Sequence, residues 1–180
     1  VNRSDAILRG YDASLSQRLL AITEARGIAY RFSNPIERVE KQGDGSLLVH
    51  TRHGEPLAAD VVLVATGRKP KTDGLGLENA GIALGPNGEV PVDAYGATSC
   101  PSIHAVGDVT DRVQLTPVAI REGHALADTL FGGKPRHTHY EHIPSAVFSQ
   151  PPLAGVGLTE AQARAQHGEV RVFTSDFRPM

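Results

Sequence analysis

Ile103-His104-Ala105-Val106 runs into Gly107-Asp108, and a few residues later Leu115-Thr116-Pro117 introduces a periodic apolar stretch. No other part of the chain restricts the fold as strongly. A short apolar run stopped by Gly-Asp predicts a buried strand that ends in a sharp turn with a carboxylate at its tip. Thr is a favoured N-cap and Pro a favoured first helical residue. A helix is therefore expected over 117–131, through Ala119, Ile120, Ala127 and Leu130 to the stop at Gly132-Gly133. A strand-end carboxylate beside a free helix N-terminus can accept hydrogen bonds from hydroxyls and stabilise negative charge. The same residues are equally compatible with a surface aspartate before an ordinary capped helix.

The chain has 180 residues, room for one domain or parts of two. Its apolar fraction of 40% can build a core, and no apolar run approaches membrane-spanning length. With 18 basic and 20 acidic residues interspersed, no basic stripe points to nucleic acid. Cys100 is the only cysteine, which rules out a disulfide framework, a multi-cysteine zinc cluster or a redox cysteine pair within these residues. Ahead of Pro101 and without a basic neighbour, Cys100 is expected to be an inert, half-buried thiol. The sequence opens at Val1 without a targeting segment and stops at Phe177-Arg178-Pro179-Met180 without a terminal helix, so an internal piece of a longer protein is expected.

From its start, the chain reads as an alternation of helices and strands. Val1-Asn2-Arg3 is expected to finish a strand. Asp12 then caps a helix with Leu15, Leu19 and Ile22 on one stripe and Gly27 at its end, the second helix of a Rossmann-like unit. In such a unit an acid after the second strand binds the ribose of NAD, whereas arginines accommodate the 2′-phosphate of NADP. Asn2 stands near the acid's place with Arg3 and Arg9 beside it; two solvated surface arginines are the plainer alternative. Strand Ile28–Phe32 and a hairpin over 36–50 follow, turning at Gly43-Asp44-Gly45. Asp60–Ala65 is apolar after its first residue and is expected to be a parallel strand covered on both faces. It ends in Thr66-Gly67-Arg68, where Gly67 lets a ligand approach the backbone.

Lys69–Gly88, rich in Pro, Gly and Lys, is a crossover with one short helix at Leu77–Ala80. Gly74-Leu75-Gly76 and Gly155-Val156-Gly157 lack the third glycine and the strand-to-helix turn of a dinucleotide fingerprint, and are turn glycines. His137, His139 and His142 lie in a polar linker with only Glu141 as a matching carboxylate, so no metal is expected. Ile143–Gly157 predicts two strands around a proline break, Thr159 starts a helix, and Val170–Phe173 adds a strand.

The arginines of Arg3-x5-Arg9, Ala65-Thr-Gly-Arg68, Gly107-Asp-Val109, Leu115-Thr-Pro-Val-Ala119, Phe148-Ser-Gln-Pro-Pro152 and Val156-Gly-Leu-Thr-Glu160 occur in an order that resembles the pyridine-nucleotide disulfide oxidoreductases, their glutathione reductase branch in particular. The likeness covers essentially the whole chain. It implies an α/β fold with three parts. Residues 1–68 would be the later part of a Rossmann-like NADPH-binding domain with a β-meander, 69–138 a central FAD-contacting segment, and 139–180 the start of an α+β dimer-interface domain.

By the same likeness Arg3 and Arg9 clasp the 2′-phosphate of NADPH, and Gly67 lies near the pyridine nucleotide. Asp108 holds the flavin ribitol, Gln114 makes a main-chain contact on the nicotinamide side, and the Thr116 amide faces the flavin pyrimidine edge. The implied cofactors are FAD and NADPH, and the implied partners are glutathione disulfide and a second identical subunit, with no nucleic acid or membrane and a cytoplasmic location. The family's first flavin fingerprint, redox cysteine pair, nicotinamide glycine loop and His-Glu acid/base pair have no counterpart in this chain. No catalytic residue is carried over, and these 180 residues alone are expected to turn over nothing. Dihydrolipoamide and mercuric reductases share the pattern but usually lack the arginine pair and Leu-Thr-Pro-Val-Ala. A flavin- or nucleotide-binding protein without turnover is the alternative outside the class.

Overall fold

The computed structural model describes residues 1–177; the expectations that touch Arg178–Met180, including the end of the 139–180 segment, lie outside them. The chain divides into two units, one made of Val1–Val64 with the segment from His142 onward, the other of Ala65–Glu141.

In the first unit, helix α1 (Ala13–Ala25) buries Ser16, Leu19 and Thr23. Leu15, expected on the buried stripe, is 39% exposed, so the covered face is turned toward the small polar residues. Thr23 is accommodated there because its hydroxyl donates to the Leu19 carbonyl at 2.9 Å and pairs with the Tyr30 hydroxyl at 2.9 Å. Gly27, at φ +92, ends the helix. Its N–H bonds the Glu24 carbonyl and the Ile28 N–H bonds the Thr23 carbonyl, a Schellman closure that needs the left-handed residue.

The hairpin forms as β1 (Ile36–Lys41) and β2 (Leu47–Thr51), with Val39 opposite Val49 and an irregularity between Ile36 and Arg38. A third strand, β3 (Leu57–Ala59), pairs antiparallel to β2. Buried Asn34 ties the sheet's end. Its amide donates to the Thr51 hydroxyl (3.2 Å) and the His53 carbonyl (2.9 Å), and its carbonyl accepts the His53 N–H (2.8 Å). Strands β4 (Ser145–Val147) and β5 (Leu153–Gly155) pair around the proline break, where Gln150-Pro151 is cis. Helix α3 (Glu160–His167) starts at Thr159 in a capping box with Gln162.

Several expected strands are not formed. Residues 60–65 have no sheet partner among the described residues, and Val61, Leu63 and Val64 are 80%, 88% and 73% exposed. An apolar run specifies extended backbone, but a ladder requires a neighbour. Ile28–Phe32 is likewise unassigned. Its backbone is extended enough to stack the Tyr30 and Phe32 rings at 5.5 Å, and Asn2 N–H bonds the Arg31 carbonyl at 2.8 Å. Residues 170–173 form no strand, and Phe173 is 87% exposed.

In the second unit, a 3₁₀ turn at Leu77–Ala80 falls where the short helix was expected. Ile82, Val90, Val118 and Ala125 form its buried apolar core. The strand expected at 103–106 reduces to one bridge, Ala97 to His104, and the chain enters a 3₁₀ turn at Gly107–Thr110. Helix α2 (Thr116–Phe131) then crosses the unit, burying Val118, Glu122 and Ala125, and gives way to Gly132. No described helix is long and apolar enough to cross a membrane.

Candidate cofactor site

Gly107 has φ +75, and a Cβ there would sit 3.1 Å from the Ala119 Cβ, so the turn lies directly on α2. Glycine is required twice over, for the left-handed backbone and for the close approach. The turn is closed by the Thr110 hydroxyl, which donates to the Gly107 carbonyl at 2.8 Å. Asp108 is thus the second residue of a 3₁₀ turn rather than the tip of a strand. One of its oxygens lies 3.4 Å from Arg68 Nε, with side-chain exposures of 45% and 74%, leaving acceptor capacity for another partner. The Arg68 contact was not legible beforehand, because 40 positions of sequence separate the pair.

The start of α2 also departs from expectation by one residue. Leu115 is extended (φ −134, ψ 131), and its carbonyl accepts the Val118 and Ala119 N–H groups at 3.0 Å each. That bond pattern makes Leu115 the N-cap and puts Thr116 at the first helical position. The Thr116 hydroxyl makes no capping bond. Its N–H has no partner among the described residues and is exposed, and Pro117 adds no N–H of its own. The Gln114 side chain donates to Asp111 Oδ1 at 2.9 Å, and Asp111, at φ +51, also accepts from Asn87 at 3.1 Å. The Gln114 main chain is left unpaired among the described residues, the group expected to make contact. Gly67, at φ +114, is exposed with nothing near its missing Cβ.

The residues that sequence reasoning missed lie beneath the turn. Glu122 accepts the Gly107 N–H at 2.5 Å and the Tyr140 O–H at 2.6 Å, although only 7% of it is exposed. Arg112 donates to the Tyr140 oxygen at 3.0 Å and to the Val92 and Asp93 carbonyls at 2.7 and 2.6 Å. Burial, then the hydrogen bond to Glu122, pushes the Tyr140 phenol above its ordinary value, so it remains the donor. The available signal was a carboxylate at helical spacing between Val118 and Ala125, on the buried face of α2.

Arg3 and Arg9 belong to the first unit. Both are exposed, and neither has an ion-pair or hydrogen-bond partner among the described residues. Asn2 shapes the loop between them, accepting the Ser4 N–H at 2.9 Å and hydroxyl at 2.8 Å while donating to the Ala6 carbonyl at 3.3 Å. Arg9 lines a groove of about 510 Å³ with Ser14, Glu160 and Arg164; Arg3 does not line it. Cys100 is half-buried, and the Ser102 hydroxyl, then its N–H, hold the thiol below its usual range without any basic neighbour. His137 packs edge-on against His139 and Tyr95.

These features define a chain of the pyridine nucleotide-disulphide oxidoreductase class. The family's model matches residues 1–123 and its dimerisation-domain model residues 143–180, and the chain belongs to this family. Among particular relatives, it is 49% identical over 180 residues to a glutathione reductase of Burkholderia cepacia, covering 100% of this chain and 40% of that protein. It is 47% identical to the chloroplastic/mitochondrial glutathione reductase of Pisum sativum (99% of this chain, 32% of the relative). A trypanothione reductase of Trypanosoma congolense is 43% identical (99% and 36%). The HOCl-induced flavoprotein disulfide reductase RclA from Escherichia coli superposes with a TM-score of 0.84 at 34% identity, over 91% of this chain and 37% of that one. The chain thus spans 32% to 40% of the curated relatives named here.

Proposed function

We propose that these residues belong to an NADPH-dependent flavoprotein disulfide reductase acting on glutathione disulfide as a homodimer. Residues 1–68 serve the nicotinamide domain, 69–138 contact FAD, and 139–180 enter the subunit interface. The observation that carries the reading is the Gly107-Asp108 turn seated on α2, in a chain 49% identical throughout to a glutathione reductase. The residues present fit a flavin dinucleotide: Asp108 keeps an exposed acceptor for ribitol hydroxyls, and the α2 N-terminus offers an unpaired N–H to a negatively charged ring edge. FAD, when bound, supplies hydride acceptance from NADPH and electron delivery to a disulfide.

In this reading Asp108 orients the ribitol, and Thr116 N–H with the α2 dipole favours charge at the pyrimidine edge. The Gln114 main chain and Gly67 meet the nicotinamide nucleotide. Arg3 and Arg9, charged and without a partner among the described residues, take the 2′-phosphate, for which a planar guanidinium can make paired hydrogen bonds. A cytoplasmic setting agrees with a single unpaired cysteine. The trypanothione reductase at 43% identity favours a second reading in which the disulfide reduced is that of trypanothione.

The test uses the protein as expressed from its own gene, with both disulfides and both nucleotides. Glutathione disulfide reduction with NADPH is expected. Replacing Arg3 and Arg9 by Gln should lower kcat/KM for NADPH by about tenfold or more, the loss of a charge-assisted contact, and leave NADH unchanged. A native preference for NADH overturns the assignment of the arginines, and preference for trypanothione disulfide replaces the substrate.

A further inference from the structure

We propose that Glu122 is a positioning residue for the flavin contact, clamping the Gly107-Asp108 turn from beneath so that the Asp108 carboxylate is held toward the ribitol hydroxyls. The inference rests on the assignment of Asp108 to FAD made above.

The Asp108 side chain does not hold itself in place. Among the described residues its one ion-pair partner is Arg68 at 3.4 Å, largely exposed, and such a surface pair fixes little. Its direction is therefore set by the backbone of the turn. The peptide that enters the turn is fixed from the protein side: Gly107 N–H points down to Glu122 Oε2 at 2.5 Å, in a buried setting. Rotating that peptide would break the bond and carry the adjoining Asp108 with it.

Glu122 is itself immobilised. Its second oxygen accepts the Tyr140 O–H at 2.6 Å, and Tyr140 accepts from Arg112 at 3.0 Å with the guanidinium carbon 5.6 Å from the ring centroid. Arg112 is pinned in turn by the carbonyls of Val92 and Asp93. One carboxylate thus joins the turn, the segment around Val92 and Tyr140. Neither an alanine nor another small residue at 122 could close this chain, because both Gly107 N–H and Tyr140 O–H would lose their acceptor. The side chain itself is buried and bonded to the turn's backbone, so it acts through the turn and not by contact.

The experiment measures the rate of FAD release by flavin fluorescence from the protein as expressed from its own gene. Asp108→Asn and Glu122→Ala are each expected to speed release about tenfold, the scale of one charge-assisted hydrogen bond. Glu122→Gln keeps an acceptor for Gly107 N–H and should stay within about threefold of the parent. In the Asp108→Asn background, Glu122→Ala should add less than about twofold, since both changes act through one contact. KM for NADPH should remain within about twofold in every variant that retains flavin. If Glu122→Ala fails to fold, Tyr140→Phe takes its place, with faster release expected only where Asp108 is intact. Unchanged release in Asp108→Asn overturns the assignment of Asp108 itself. A response to Asp108→Asn with none to Glu122→Ala, or with effects that multiply, overturns the positioning role alone.

Discussion

Gly107→Ala tests the packing on which the site depends, and its magnitude follows from two features of the same position. The backbone sits at φ +75, where an L residue loses roughly 1–2 kcal/mol. The added Cβ would stand 3.1 Å from the Ala119 Cβ, inside the usual carbon contact of about 3.5–4.0 Å, and overpacking of this kind costs about 1–3 kcal/mol. Together the substitution should destabilise the 65–141 unit by about 2–5 kcal/mol. In urea, with a slope of about 2 kcal/mol/M, the unfolding midpoint read from the helical circular dichroism signal falls by about 1 M or more. Gly123→Ala is the control in the same helix: nothing lies within 4 Å of its missing Cβ, so helix propensity should raise stability by roughly 0.5–1 kcal/mol. Adding Ala119→Gly to Gly107→Ala removes the steric contact but leaves the strained backbone, and should recover part of the loss despite costing about 1 kcal/mol of propensity on its own. A Gly107→Ala protein within about 0.5 kcal/mol of the parent, or no coupling to position 119, would refute the reasoning.

Asn34→Ala should cost about 1–2 kcal/mol, because it leaves the part-buried His53 N–H without its acceptor, while the Thr51 hydroxyl still donates to the His53 carbonyl at 3.0 Å; an unaltered thermal midpoint would show that the sheet end is held otherwise. The Asp93 carboxylate is held below the usual carboxylate range, first by the Ala97 N–H, then by the Tyr95 N–H, with Arg112 adding to it. Its folded value lies below the unfolded one, so its contribution is complete above the ordinary carboxylate value of about 4 and disappears as pH falls through the lowered value. Asp93→Asn should therefore lower the plateau above about pH 4 and leave stability in strong acid unchanged, so that the acid limb flattens; superimposable acid limbs in thermal unfolding would sink that account.

What could be read from the sequence alone was whatever is decided within about one turn of chain. The Gly27 closure, the Gly43-Asp44-Gly45 hairpin, the Leu77–Ala80 turn, the Gly132-Gly133 stop and the helix start at Thr159 all depend on residues a few positions apart, and all lie where the pattern put them. Strands depend on something else. Residues 60–65 carry as strong an apolar signal as any in the chain, yet Leu63 is 88% exposed, because local pattern selects extended backbone while hydrogen-bond pairing is settled by segments distant in sequence. Leu57–Ala59, with a weaker signal, is a strand because β2 lies beside it.

The candidate site divides along the same line. Asp108, Thr116 and Arg9 were visible as residue types at telling positions, whereas Arg68, Glu122 and Tyr140 acquire meaning only from contacts across 40, 15 and 18 positions of chain. Glu122 sharpens the point. On pattern alone a charge at the buried stripe of α2 is a fault in an amphipathic helix; in the folded unit it is the acceptor that a buried glycine N–H requires. A helix in this position thus has two duties that pull its sequence apart. On the proposed reading its N-terminus stays uncapped by side chains and open to a ligand, which Leu115 allows, and its buried face carries a carboxylate at the cost of apolar area. Both departures from an ideal helix fall within two turns of Asp108's own turn, which is where a cofactor contact would need them.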